Sequence, residues 1–224
     1  MNICLNYYGQ MRNNTITTDI FEKYINDTNN NIYVLYTTWS VEDITLFKDY
    51  FKNSYIRQIN IPDLDEYSEI IDKYSMDGTN CHKSLQHYLL GLYIKKESYN
   101  TINSFEEEKN IKFDIIISMR TSICINNKIS NYYSTILDNN DESTIFVANR
   151  PCFKIYNDES LPDVFYISKN KFVMKKVLSQ IDILNHCLVT NTFFFHPETS
   201  FYKSLYYYNL NIVKLDLYAF LQLL

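Results

Sequence analysis

Apolar positions along this chain follow two periods. Residues 3–8 and 32–36 are short β-branched and aromatic runs of strand length, the first ending at Gly9. Residues 55–61 read as a third strand, stopped by Pro62. Residues 113–119 form an apolar run broken by Asp114 and Ser118, which predicts a central parallel strand covered on both faces. Between these runs the period changes. Leu85, Tyr88, Leu89, Leu92 and Tyr93 recur at i, i+3, i+4, i+7 and i+8, which predicts an amphipathic helix over 80–97. Ser40 with Asp43 three residues on has the spacing of a capping box opening a helix through Tyr50. A helix is also predicted over 19–25, a turn at 29–31, and a solvated turn at 106–110.

The second half is less regular. Residues 144–148, 164–167, 189–195 and 212–215 read as strands. Residues 169–183 read as a helix, and Pro197 is placed to open another that runs to about residue 208. An apolar tail follows. Strands alternating with helices predict an α/β fold with a mostly parallel central sheet flanked by helices.

Composition narrows the function. The 224 residues include only 3 glycines, at positions 9, 78 and 91. An average chain of this length would hold about 16. Three glycines so far apart build neither a P-loop nor a dinucleotide-binding fingerprint. The net charge of −5 argues against non-specific nucleic-acid binding, which needs a basic surface. A local basic pocket for a phosphate ligand is compatible with it. The 21 Tyr and 14 Phe, with frequent Ile, Asn and Lys, match the codon bias of an AT-rich genome. A surface that stacks sugars or bases is the alternative reading of the tyrosines.

Five cysteines in no C-x-x-C pair predict a reduced, cytoplasmic protein. Cys81 beside His82, and His186 beside Cys187, lack the spacing of a structural zinc site. The first residues lack the basic and apolar regions of a signal peptide, and no apolar run is long enough to span a membrane.

In open α/β sheets ligands bind beyond the carboxyl ends of the strands. Three predicted strand ends carry distinctive residues: Tyr8, Gly9, Gln10, Met11 and Arg12; Thr37, Thr38 and Trp39; and Met119, Arg120, Thr121 and Ser122. Gly9 lets a backbone approach a ligand closely. Arg12 and Arg120 each carry a planar fork suited to phosphate. Taken singly, each arginine also reads as a surface ion pair, and Trp39 as a core anchor. Their shared edge points to a site for an anionic, ring-bearing ligand.

The run Tyr8, Gly9, Gln10, x, Arg12 after a first strand, with Thr38 and Trp39 after a second, resembles small glycosyltransferase-like proteins of giant DNA viruses and bacterial polysaccharide loci, the WavE-like group among them. Gln86 in a helix before residues 113–120, Pro162, Asp163 and Phe165, and Pro197 with Glu198 fit the same pattern. The resemblance runs from about residue 2 to residue 215. It implies a GT-A-like nucleotide-sugar-binding fold in a single domain, 1–224, with a nucleotide-binding half (1–125) and an acceptor-side half (126–224). The expected partners are a nucleotide-diphosphate sugar and a glycan or small acceptor, with no nucleic acid and no membrane span.

Under that resemblance Tyr8, Gly9 and Arg12 line the nucleotide pocket. Thr38 and Trp39 flank the base or ribose, and Arg120 and Ser122 lie beside the diphosphate. Relatives read Arg-x-Asp at this strand end, where this chain has Arg120, Thr121 and Ser122. Ser122 cannot supply the anionic oxygen that Mn²⁺ or Mg²⁺ prefers. Three expectations stay open. Asp63 and Asp65 hold the metal, although a helix N-cap after Pro62 suits them better. Or catalysis is metal-independent, with Arg12, Arg120 or a lysine stabilising the leaving diphosphate. Or the chain is a catalytically silent nucleotide-sugar or glycan-binding module. Asp163 is the candidate catalytic base. Glu198 reads as a helix-dipole residue, His82 and Gln86 as one helix face, and Asp158, Glu159, Asn149, Arg150 and Pro151 as possible acceptor-side residues.

Overall fold

The computed structural model describes residues 1–11, 19, 21–26, 29–68, 71, 81–121, 123–149, 164–184, 197–217 and 219–221. Seven strands form the main sheet, in the order β3-β2-β1-β4-β7-β6-β8. They are β1 (Asn2–Tyr8), β2 (Asn31–Thr38), β3 (Tyr55–Gln58), β4 (Ile115–Arg120), β6 (Thr144–Ala148), β7 (Phe165–Ser168) and β8 (Asn211–Leu215). Two further strands, β5 (Ile123–Ile125) and β9 (Ala219–Leu221), pair with each other as a small antiparallel sheet. In the main sheet every pairing is parallel except those of β7, which runs antiparallel to both β4 and β6. The expected mostly parallel α/β sheet with flanking helices is therefore present.

Alternation along β1 sorts the core into two layers. Ile3, Leu5 and Tyr7 join Tyr36, Ile115, Ile117, Met119, Phe165 and Ile167 on one face. There they meet Phe47 and Phe51 of the helix α1 (Val41–Tyr50) and its exit, and the wide turn Phe21–Ile25. Cys4 and Tyr8 join Leu35, Ile116 and Tyr166 on the other face. That face is covered by α2 (Cys81–Lys109), α4 (Lys171–Leu178) and α5 (Pro197–Tyr207). A short helix, α3 (Tyr133–Leu137), packs Tyr133 and Ile136 against the first face.

The helix expected over 80–97 is longer, and the solvated turn expected at 106–110 is mostly its last turn. The buried stripe continues through Ser98, Thr101, Ile102, Phe105 and Glu106 at i, i+3, i+4, i+7 and i+8. Three of these five positions are polar, so no hydrophobic period marks them. They are buried because partners await them. Asn6 donates to Ser98 Oγ at 3.1 Å and to Ser118 Oγ at 2.9 Å. The Thr37 and Thr101 hydroxyls lie 2.7 Å apart. The Glu106 carboxylate accepts the Phe113 N–H at 3.1 Å. Asn110 ends the helix at φ +50°, a left-handed value that asparagine tolerates.

The helix expected over 169–183 divides into α4, capped by Asn170 through the Phe172 N–H at 2.8 Å, and a tight turn at Gln180–Ile183. Within the helix expected over 19–25, Asp19 is helical and Phe21–Ile25 forms a wide helical turn, closed by the Asn26 N–H on Phe21 O at 2.7 Å. The apolar tail supplies β9. The strand expected at 189–195 lies outside the described residues. Among the described residues, no helix is long and apolar enough to cross a membrane.

Candidate functional site

The sheet order defines a place for a ligand. From β1 the chain steps outward to β2 and β3, then returns to place β4 on the opposite side of β1. In open α/β sheets ligands bind at such a reversal, beyond the carboxyl ends of the strands. Tyr8 is in register with Thr37 on one side and Arg120 on the other. The ends of β1, β2 and β4 therefore share one edge.

The loop after β1 turns at Gly9, whose φ is +93°. L side chains rarely adopt that conformation, so glycine is the residue the turn requires. Among the described residues, a Cβ built on Gly9 would meet no atom within 4 Å. The glycine answers to backbone geometry.

Neighbouring elements fix this loop. The Gly9 N–H donates to Thr37 O at 3.2 Å, and the Tyr36 hydroxyl donates to Gly9 O at 2.8 Å. Burial pushes the Tyr36 phenol up, which keeps it a donor. From the turn after β4, the Thr121 hydroxyl donates to Gln10 O at 2.5 Å and its N–H donates to Tyr8 O at 3.3 Å. The Met11 N–H donates to the Asp43 carboxylate at 3.1 Å.

Asp43 is the residue that sequence reasoning used only to open a helix. Ser40 does cap α1, accepting the Asp43 N–H at 3.2 Å. The Asp43 side chain also bonds beyond the cap. It is buried, accepts from Met11, and accepts from the Thr38 hydroxyl at 3.4 Å. Burial raises its carboxyl above the ordinary value, the bonds from Met11, Thr38 and Ser40 oppose that shift, and Glu42 adds to it.

The remaining site residues separate into three groups. Gly9, Trp39 and Arg120 come together at the edge, each half-buried. Among the described residues nothing pairs with the Arg120 guanidinium, whereas Arg57 on β3 is engaged by Glu97 at 3.1 Å. Tyr8 and Thr38 reach the edge by backbone only. The Tyr8 side chain is 1 % exposed and lies in the layer beneath α2. The Thr38 hydroxyl is buried and serves Asp43 and the Ser40 N–H, the latter at 3.1 Å. Arg12, Ser122 and Asp163 lie outside the described residues. Val164, the neighbour of Asp163, accepts the Arg120 N–H at 3.1 Å.

Asp63 and Asp65 are exposed after β3, and the Asp65 N–H donates to Asp63 Oδ1 at 3.0 Å, closing a turn. Among the described residues no three acids, imidazoles or thiols gather where they could share a metal ion. At the end of β4 the described side chains are a guanidinium and a hydroxyl already donating to Gln10 O. That donor set does not fit Mg²⁺ or Mn²⁺, which favour anionic oxygens. It fits an anion. No protein-family model and no curated protein matches this chain.

Proposed function

We propose that this chain is a GT-A-like glycosyltransferase that moves a sugar from a nucleotide diphosphate donor to a glycan or similar acceptor. One observation carries the reading. The ends of β1, β2 and β4 meet at the reversal of strand order, with, among the described residues, an open backbone at Gly9 and an unengaged guanidinium at Arg120. A GT-A-like nucleotide site needs the first strands and the end of the fourth on one edge, and this order supports it.

In this reading Arg120, with Arg12, holds the diphosphate, and Trp39 flanks the base or ribose. The acceptor hydroxyl oxygen bonds to the anomeric carbon. The bond from that carbon to the diphosphate breaks, its electron pair stays on the diphosphate oxygen, and the hydroxyl proton passes to Asp163. Negative charge grows on the leaving oxygen, so a fixed guanidinium there stabilises the transition state more than the ground state. Side chains alone serve this step.

The second reading is a catalytically silent nucleotide-sugar or glycan-binding module. Ser122, standing where relatives carry an acid, favours it. Calorimetry with UDP-, GDP- and TDP-sugars, with and without Mn²⁺, separates the two when combined with a turnover assay. Heat with sugar transfer is the expected result. Heat without turnover on any acceptor moves the chain to the silent module, and no heat with any donor rejects both readings.

A further inference from the structure

The loop of Gly9, Gln10 and Met11 owes its shape to groups outside it. Tyr36 holds Gly9 O, Thr121 holds Gln10 O, and Asp43 holds the Met11 N–H. Among the described residues, nothing accepts from the Gln10 N–H, and Gln10 is exposed at the same edge as Arg120. With the Gly9 N–H, Gly9 O, Gln10 O and the Met11 N–H all bonded, the Gln10 N–H is the backbone donor of the turn left to a ligand.

Of the three ties, Asp43 reaches furthest. Its carboxylate joins α1, the loop after β1 and the end of β2. An acid in the first turn of a helix gains its dipole benefit while exposed. This one is 7 % exposed, and a buried carboxylate costs stability unless hydrogen bonds offset it. The fold tolerates that cost where the carboxylate fixes the backbone beside Gly9.

We propose that Asp43 is a positioning residue, holding the loop after β1 so that the Gln10 N–H faces a bound anionic group. The inference rests on the nucleotide-sugar reading of this edge. It requires an acceptor oxygen at one place and requires no charge. Asp43→Asn keeps an oxygen for the Met11 N–H. Asp43→Glu keeps the charge but moves the oxygen by one methylene, and Asp43→Ala removes it.

Calorimetry with the same panel of UDP-, GDP- and TDP-sugars tests this, with a melting curve for each variant. Asp43→Ala is expected to weaken donor binding by about ten- to a hundredfold, the range seen when the groups that orient a ligand's contacts are removed. Asp43→Asn is expected to stay within about threefold of the parent, and Asp43→Glu to resemble the alanine variant. If Asp43→Ala fails to fold, Asp43→Glu binding more weakly than Asp43→Asn supports the proposal. Equal binding by the parent and Asp43→Ala overturns it. So does Asp43→Asn binding worse than Asp43→Glu, which would give the charge, not the oxygen, the leading role. A parent that binds no donor rejects the nucleotide-sugar reading itself, a result distinct from these.

Discussion

The two edges of the parallel strands differ in how their polar groups are satisfied. At the amino edge the molecule closes on itself. The Asn2 N–H donates to Asp114 Oδ2 at 2.7 Å, and the Asp114 N–H returns to Asn2 O at 2.8 Å. Asn31 donates to Asn2 Oδ1 at 3.2 Å, and Asn2 to Lys112 O at 3.2 Å. Glu106, 8 % exposed, takes the Phe113 N–H and the Lys171 ammonium, the latter at 2.6 Å. Lys171 also reaches Asn103 at 3.1 Å. At the carboxyl edge the loop is held as firmly, yet the Arg120 guanidinium and the Gln10 N–H remain unengaged among the described residues. Similar means of fixing backbone produce a seal at one edge and, among the described residues, leave donors unengaged at the other. What separates them is whether the last donor finds an acceptor inside the protein.

Substitutions can test whether the edges are separable. The largest effect is expected from Glu106→Ala, which leaves a buried N–H and a half-buried ammonium without their shared acceptor. Urea unfolding should show a loss of about 2–3 kcal/mol. Donor affinity of the folded fraction should not change, and a parallel fall in affinity would show that the edges are coupled. Arg120→Ala should do the opposite. Loss of a charged hydrogen bond to diphosphate weakens donor binding by about 2 kcal/mol, while the melting temperature stays close to the parent's. A variant that binds as well as the parent would remove Arg120 from the site.

Gly9→Ala should cost about 1–2 kcal/mol of stability, because only backbone strain opposes it. Among the described residues no atom lies where the new Cβ would go, so a valine at Gly9 adds its bulk at that edge to the same strain. Equal stability of Gly9→Ala and the parent in urea would show that the turn relaxes.

The smallest effect concerns pH. The Asp43 carboxyl is raised on folding, chiefly by burial. The folded state therefore keeps this proton to higher pH than the unfolded chain does. Between the ordinary carboxylate value and the raised one, this group's contribution to stability falls as pH rises. Asp43→Asn removes that slope, so its stability relative to the parent should improve as pH climbs through this window. Parallel stability curves for the two proteins would contradict the assigned cause.

How much of this could be read in the sequence depends on where the partners lie. β1, β2 and β4 were legible because each is an apolar run of ordinary strand length. So was the edge they share, since Gly9, Trp39 and Arg120 each follow such a run. The second half of α2 was not, because Ser98, Thr101 and Glu106 are polar residues buried by partners on other elements. A hydrophobic period cannot register them. β5 and β9 have three residues each, too few for a period. Asp43 was legible as a helix signal and silent as a loop support. Its decisive partner is a backbone N–H 32 residues earlier, and every residue but proline carries one.

The small sheet bears on how the protein is made. β5 begins three residues after Arg120, and its Ile123 pairs with Leu221. During synthesis, at about 5–20 residues per second, the strand that follows Arg120 has no partner until almost the whole described chain has emerged. Long-range pairings of this kind form late. The main sheet has its central strands long before then, so the segment just after β4 is among the last parts to be completed. A nascent chain arrested short of residue 219 would hold β1, β2 and β4 but leave β5 unpaired.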